Sequence, residues 1–162
     1  MKQTLGILVW IVAWAHAASA LAAAADAVPA SVDLRKDAAA ARGINGAVLV
    51  AFVGEHCRYC ERVLKEFLVP MSRNGDYRNK VVMRRIETGS HAGLRGFNGE
   101  ETTPSDFAQM HGVRLTPTIM LFDEKGQPLG KPLIGLGPVD YYGFYLDQAI
   151  DGALEKVRKL GK

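Results

Sequence analysis

Seven consecutive apolar residues, Ala47-Val-Leu-Val-Ala-Phe-Val53, are followed at once by Gly54. A strand with one wet face alternates polar and apolar side chains. This run does not alternate, so it predicts a strand covered on both faces, as in the middle of a mostly parallel sheet with helices on either side. Gly54 ends the run, and a helix is expected to begin near Cys57. Val63, Leu64, Phe67 and Leu68 recur at helical spacing beyond it, and Pro70 is expected to stop the helix. Both cysteines of the chain fall at this junction, as Cys57-Arg-Tyr-Cys60.

The flanking segments complete an α/β order. Before the strand, Ser31 can cap a short helix reaching Arg42, with Leu34, Ala38 and Ala41 on one face. After the cysteine helix, Lys80 to Glu87 predicts a second strand, interrupted by Arg84 and Arg85, which are expected to form a solvated strand edge. Thr88 to Thr102 is loop-like, and Phe97-Asn-Gly99 can turn a small hairpin. Thr103 followed by Pro104 is an N-cap with proline at the first helical position, and Gly112 closes that helix. Thr118 to Asp123 is a third strand, and Glu124-Lys-Gly126 turns into a fourth between Leu129 and Leu136. A last helix runs from Pro138 to Leu160, burying Tyr142, Leu146, Ala149, Ile150, Ala153, Leu154 and Val157. No internal repeat is visible.

The first 25 residues carry a different signal. Lys2 is a weak positive start, Leu5 to Trp14 is apolar, and small residues follow, with cleavage patterns at Ala15-His-Ala17 and Ala18-Ser-Ala20. Residues 1–25 are expected to be an export signal, or an uncleaved N-terminal anchor, since the stretch from Leu5 to Ala25 approaches the length needed to cross a bilayer. Residues 26–45 then form a linker and N-terminal helix, and residues 46–160 the main domain. About 135 residues remain beyond the leader, enough for one domain with a core. Net charge is +3, and Lys2 is the only charge before Asp26, so the exported part carries +2. A charge that small points to no nucleic-acid partner.

Outside the cytoplasm a disulfide persists. A bridge across so short a loop removes little chain entropy, so its spacing argues for chemistry rather than stapling. Cys57 would sit in the first helical turn, where unpaired amides and the positive end of the helix dipole favour a thiolate. Cys60, one turn on, returns near it. Cys57 would attack a substrate disulfide and Cys60 would resolve the mixed disulfide. His56 adjoins the nucleophile and favours its thiolate when protonated; the competing reading is an exposed loop-end histidine. Arg58 and Tyr59 are the other candidates for tuning the thiolate. His91 and His111 have no such context and are expected at the surface.

With these residues in hand, the chain resembles the bacterial periplasmic thioredoxin-like thiol–disulfide oxidoreductases, in particular the SoxW-type thioredoxin-related proteins, and more distantly disulfide-exchange proteins of the Dsb kind. The resemblance spans roughly Gly46 to Leu160. It rests on Val48 to Phe52, on Cys57-Arg-Tyr-Cys60, on Gly112-Val-Arg-Leu-Thr-Pro-Thr118 with Ile119 to Phe122, and on Asp123-Glu-Lys-Gly126. It implies a thioredoxin-like α/β fold with a central mixed sheet of about four strands flanked by helices. It implies that Pro117 is cis and faces the cysteines, and that Thr116 offers backbone groups to a substrate peptide. It favours a reductase over an oxidase, and with no dimerisation domain visible a monomer is expected rather than a dimeric isomerase. Its partners would be disulfide-containing exported proteins and a membrane thiol electron donor, with no cofactor beyond the Cys57–Cys60 disulfide and no metal. Two departures stand out. Ala51 occupies the place of a buried carboxylate six positions before the first cysteine, and His56 that of a frequent aromatic residue. Glu55 is the nearest acidic substitute by sequence.

Two rival readings remain. Two thiolates can hold a soft ion such as Cu(I), which would make the chain a copper-binding module, although no second cysteine pair exists for a closed zinc site. Alternatively the domain binds partners and its cysteines are dispensable.

Overall fold

Every residue of Ala47–Val53 (β1) is buried. The computed structural model describes residues 27–160, so the expected leader at 1–25 lies outside them. β1 pairs in parallel with Val81–Glu87 (β2), Ala47 facing Val81 and Val53 facing Glu87. On its other edge it pairs antiparallel with Thr118–Phe122 (β5), Ala51 facing Ile119. Leu133–Ile134 (β6) adds to β5, giving a mixed four-stranded sheet of order β2-β1-β5-β6. This short pair is less than the fourth strand expected from Leu129 to Leu136. Leu129 bonds β5 through Leu121, but Gly130-Lys-Pro132 interrupts the ladder before it resumes. Leu94–Arg95 (β3) and Glu101–Thr102 (β4) form a separate hairpin around Gly99, whose φ of +85° suits glycine.

Alternation along β1 sorts the core into two layers. Leu49, Ala51 and Val53 face one layer with Cys60, Val63, Tyr142, Leu146 and Ile150. Val48, Val50 and Phe52 face the other with Leu34, Ala38, Phe107 and Phe122. The first layer is closed by the cysteine helix and by Val139–Leu160 (α6), the second by Leu34–Gly43 (α1) and Pro104–Met110 (α5). Thr103 caps α5 through the Asp106 amide. Among the described residues no helix is long and apolar enough to cross a membrane.

Four further details differ from the expectations. Asp33, not Ser31, caps α1, accepting from the Lys36 amide. Ser31 instead donates to Asp37 at 2.6 Å, because both side chains are buried and need partners. Arg84 is not simply solvated either. Its Nε donates to the same Asp37 at 2.6 Å, tying β2 to α1. Nor does Pro70 stop the cysteine helix. Arg58–Arg62 (α2) passes through a π-helical stretch, Val63–Leu68, into Val69–Arg73 (α3). There the Val69 N–H bonds the Leu64 carbonyl, five residues back. The wider turn falls where a proline can neither donate nor tolerate the usual carbonyl beneath its ring. A short turn, Gly75–Arg78 (α4), then leads to β2.

The fourth difference is His111. It packs against Phe107 and Phe122, ring centroids 4.5 and 4.8 Å away, and is half-buried, whereas His91 is exposed. Burial lowers its pKa from 6.5. The unfolded chain therefore binds this proton more readily than the fold. The stability contribution is full above pH 6.5 and is lost as the pH falls through the depressed folded value. We predict that His111→Gln flattens the loss of stability between about pH 7.5 and about pH 5, read as urea midpoints. Identical slopes in the two proteins would refute this.

Candidate active site

β1 and β2 run in parallel and end at the same edge of the sheet, where β5 begins. The chain leaves β1 at Gly54 and reaches α2 through His56, whose φ of +54° lies in the left-handed region. That turn delivers Cys57 to the N-cap of α2, where its Sγ accepts from the Cys60 amide at 3.1 Å. An N-cap position places the sulfur among unpaired amides at the positive end of the helix, which favours a thiolate. Cys60 lies one turn further in. The two form a disulfide with an S–S distance of 2.07 Å and Cα atoms 5.2 Å apart. Cys57 is partly exposed while Cys60 is only 2% exposed, so an approaching sulfur meets Cys57 first.

The loop before β5 supplies the opposite wall. Thr116 Oγ1 lies 3.7 Å from Cys57 Sγ, and the Thr116–Pro117 peptide bond is cis. The sheet register starts only at Thr118, opposite Phe52, so Thr116 lies outside the ladder. The Pro117 carbonyl accepts from the Gly135 amide at 2.7 Å, fixing the loop to the end of β6. A side chain at Gly54 would bring its Cβ within 2.9 Å of Thr116 Oγ1, so glycine there is what allows the two loops to meet. The sequence presented Gly54 only as the end of a strand. The resemblance implied that Pro117 would face the cysteines, but not that the Thr116 side chain would approach the sulfur, a contact between residues 59 apart in the chain.

The other expected tuning residues are placed differently. His56 is exposed, and its Nδ1 lies 3.8 Å from the equally exposed Glu55. Glu55 is thus a solvated partner of His56 and does not replace a buried acid. Arg58 and Tyr59 are both exposed. Tyr59, Leu115 and Ile134 are each at least 60% exposed, on the residues between the cysteines, beside Thr116 and opposite Thr118 respectively. Among the described residues no three His, Cys, Asp or Glu side chains come together as a metal site.

The sequence pattern of the thioredoxin-like domain matches residues 34–150, most of the chain. This chain belongs to the thioredoxin-like domain family. With a C-x-x-C disulfide at the N-terminus of the first helix after β1, this thioredoxin-like protein is a thiol–disulfide oxidoreductase. No curated protein matches the sequence. Solved structures similar to this chain include oxidised mitochondrial thioredoxin 3 from Saccharomyces cerevisiae. It is 17% identical, with 76% of this chain and 93% of that one covered and a TM-score of 0.49. Another is a thioredoxin-fold protein from Helicobacter pylori, at 21% identity, 72% and 84% coverage and a TM-score of 0.48. A third is thioredoxin Mala s 13 from Malassezia sympodialis, at 20% identity, 70% and 82% coverage and a TM-score of 0.46.

Proposed function

We propose that this thioredoxin-like protein works outside the cytoplasm, mainly as a reductant of disulfides in exported proteins. Cys57 is the attacking thiol and Cys60 the resolver. The observation that carries the exchange chemistry is Cys57 at the N-cap of α2, partly exposed, beside a buried Cys60. The Cys57 thiolate attacks one sulfur of a substrate disulfide and releases the other as a thiolate. Cys60 then loses its proton to water and attacks Cys57 Sγ, releasing the second substrate thiolate. The substrate gains two electrons, and the protein is left with the Cys57–Cys60 disulfide. Thr116, half-buried beside Cys57 and joined by a cis peptide to the buried Pro117, is the docking edge for an extended substrate strand.

Export is supported by the sequence of residues 1–25, with its apolar stretch and small-residue cleavage patterns. An oxidising compartment cannot keep the pair reduced, so a dedicated dithiol donor at the membrane resets it. The family resemblance to thioredoxin-related proteins favours reduction over oxidation. Both parts can be tested on one preparation. The extracytoplasmic fraction is expected to yield protein whose N-terminus lies between Ala15 and Ala25. Equilibrated with glutathione buffers, it is expected to show a potential well below about −120 mV and towards about −270 mV. An intact Met1 in the membrane fraction would make the leader an anchor. A potential near about −120 mV, with rapid oxidation of a reduced unfolded protein, would make the protein an oxidase.

A further inference from the structure

The Tyr142 hydroxyl is the one buried side-chain oxygen among the described residues that has no hydrogen-bond partner. The residue is 2% exposed, and its ring packs edge-on against Phe67 at 5.0 Å. An unpaired buried hydroxyl costs stability, and phenylalanine would fill the same space without that cost.

The topology places Tyr142 in the core layer that also holds Cys60. β6 returns antiparallel to β5, so Ile134 lies opposite Thr118 at the edge where β1 ends. Gly135 bonds the Pro117 carbonyl, and α6 starts four residues later at that same end of the sheet. Tyr142, in the first turn of α6, faces the core layer that holds Ala51 and Cys60. Ala51, the β1 residue opposite Ile119 in that layer, offers only a methyl group. The buried polar side chains Ser31 and Asp37 pair with each other, and Asp37 also pairs with Arg84, while Thr118 donates to the Leu115 carbonyl. The titratable groups around this layer are few. Cys57 and Cys60 come from α2 and Tyr142 from α6. At the rim Tyr77 of α4 donates to Asp147 of α6, at 2.6 Å. Glu61, Lys65 and Glu66 of the cysteine helix and Asp140 of α6 are exposed.

We propose that the Tyr142 hydroxyl donates a hydrogen bond to the Cys60 sulfur, directly or through one water, once the disulfide is open, and thereby stabilises the Cys60 thiolate for resolution. The inference rests on the exchange reading above. A buried thiol resists ionisation because burial disfavours the charge, and a hydrogen bond to the thiolate offsets this. Burial holds the Tyr142 phenol at about 12, so it keeps its proton and acts as a donor, not as a base. The proton of Cys60 leaves to water. Cys60 then bonds Cys57, the bond from Cys57 to the substrate sulfur breaks, and the substrate leaves as a thiolate. Tyr142 is a positioning residue in this scheme.

The test uses the reduced full chain and excess dithiobisnitrobenzoate, an aromatic disulfide that releases a coloured thiolate at each step. The first release depends on reagent concentration and reports attack by Cys57. The second is unimolecular and reports ring closure by Cys60. Tyr142→Phe is expected to leave the first phase within about twofold, to slow the second about tenfold at neutral pH, and to move its pH midpoint up about one unit. The oxidised variant is expected to melt no lower than the parent, since the lost hydroxyl had no partner. Second phases that coincide at all pH values would overturn the role of Tyr142. So would a lowered melting temperature with an unchanged second phase, which marks a structural residue. Absence of the first phase in the parent protein would instead remove the exchange reading itself.

Discussion

Cys57→Ser is expected to abolish disulfide exchange, lowering the rate at least about a thousandfold, because the nucleophile itself is removed. Cys60→Ser is expected to do something different. Its first attack proceeds, and the protein then stalls as a mixed disulfide with its substrate. The asymmetry follows from position. Cys57 is partly exposed at the helix N-cap with an amide aimed at its sulfur, whereas Cys60 is buried one turn in. The same asymmetry governs alkylation. Iodoacetamide at mildly acidic pH is expected to label Cys57 of the reduced protein and spare Cys60, because the thiolate is the reactive form and access is one-sided. Substrates captured on Cys60→Ser can be released by reductant and identified, which names them directly. Labelling that favours Cys60, or covalent capture by Cys57→Ser in place of Cys60→Ser, would reverse the assignment.

Phe107→Ala is expected to cost about 3–5 kcal/mol, a large share of the roughly 5–15 kcal/mol that holds a domain folded. Phe107 is fully buried on α5, and its ring lies 6.0 Å from Phe52, 6.1 Å from both Phe97 and Phe122, and 4.5 Å from His111. These partners come from β1, the β3–β4 hairpin, β5 and the end of α5. The cavity would therefore open where four segments meet, and none can move in without disturbing its own packing. Chemical denaturation of the oxidised protein measures the effect. A loss below about 1 kcal/mol would mean that the aromatic cluster collapses freely and is not the anchor of this layer. Phe97 also explains the long segment after β2. The hairpin carries this ring into the core, and Gly126 passes so close that a Cβ there would sit 2.7 Å from it.

Much of the architecture was legible along the chain because its signals are local. A seven-residue apolar run, rich in valine and bounded by Gly46 and Gly54, suits a strand covered on both faces, and β1 is buried at every position. Thr103-Pro104 and Gly112 mark a helix start and stop through backbone chemistry that needs no neighbours, and α5 lies between them. The stripe on α6 follows from helical period alone: Tyr142, Leu146, Ile150, Ala153 and Leu154 are buried, while Ala149 and Val157 are only partly so. The failures share one cause. Ser31, Arg84, His111 and Pro70 each take a role set by a partner or a register elsewhere. Ser31 and Arg84 meet on Asp37, His111 meets Phe122, and Pro70 is accommodated by a π turn that no residue preference announces.

The same division runs through the site. The sequence alone determined that a dithiol would sit at a strand–helix junction, since the apolar run, Gly54 and the C-x-x-C are contiguous and the helix dipole acts on whatever residue opens the helix. It also set which cysteine lies outermost, because one turn of helix separates them. Only the tertiary structure decided what surrounds the sulfurs. Thr116 reaches Cys57 because β5 begins where β1 ends, and Gly54 leaves room for it. Glu55 turns to His56 in solvent, while the Tyr142 hydroxyl, indistinguishable in sequence from any other stripe residue, lies unpaired in the layer of Cys60. These relations depend on register and strand order, which are settled by how both faces of one sheet are covered rather than by local residue preference.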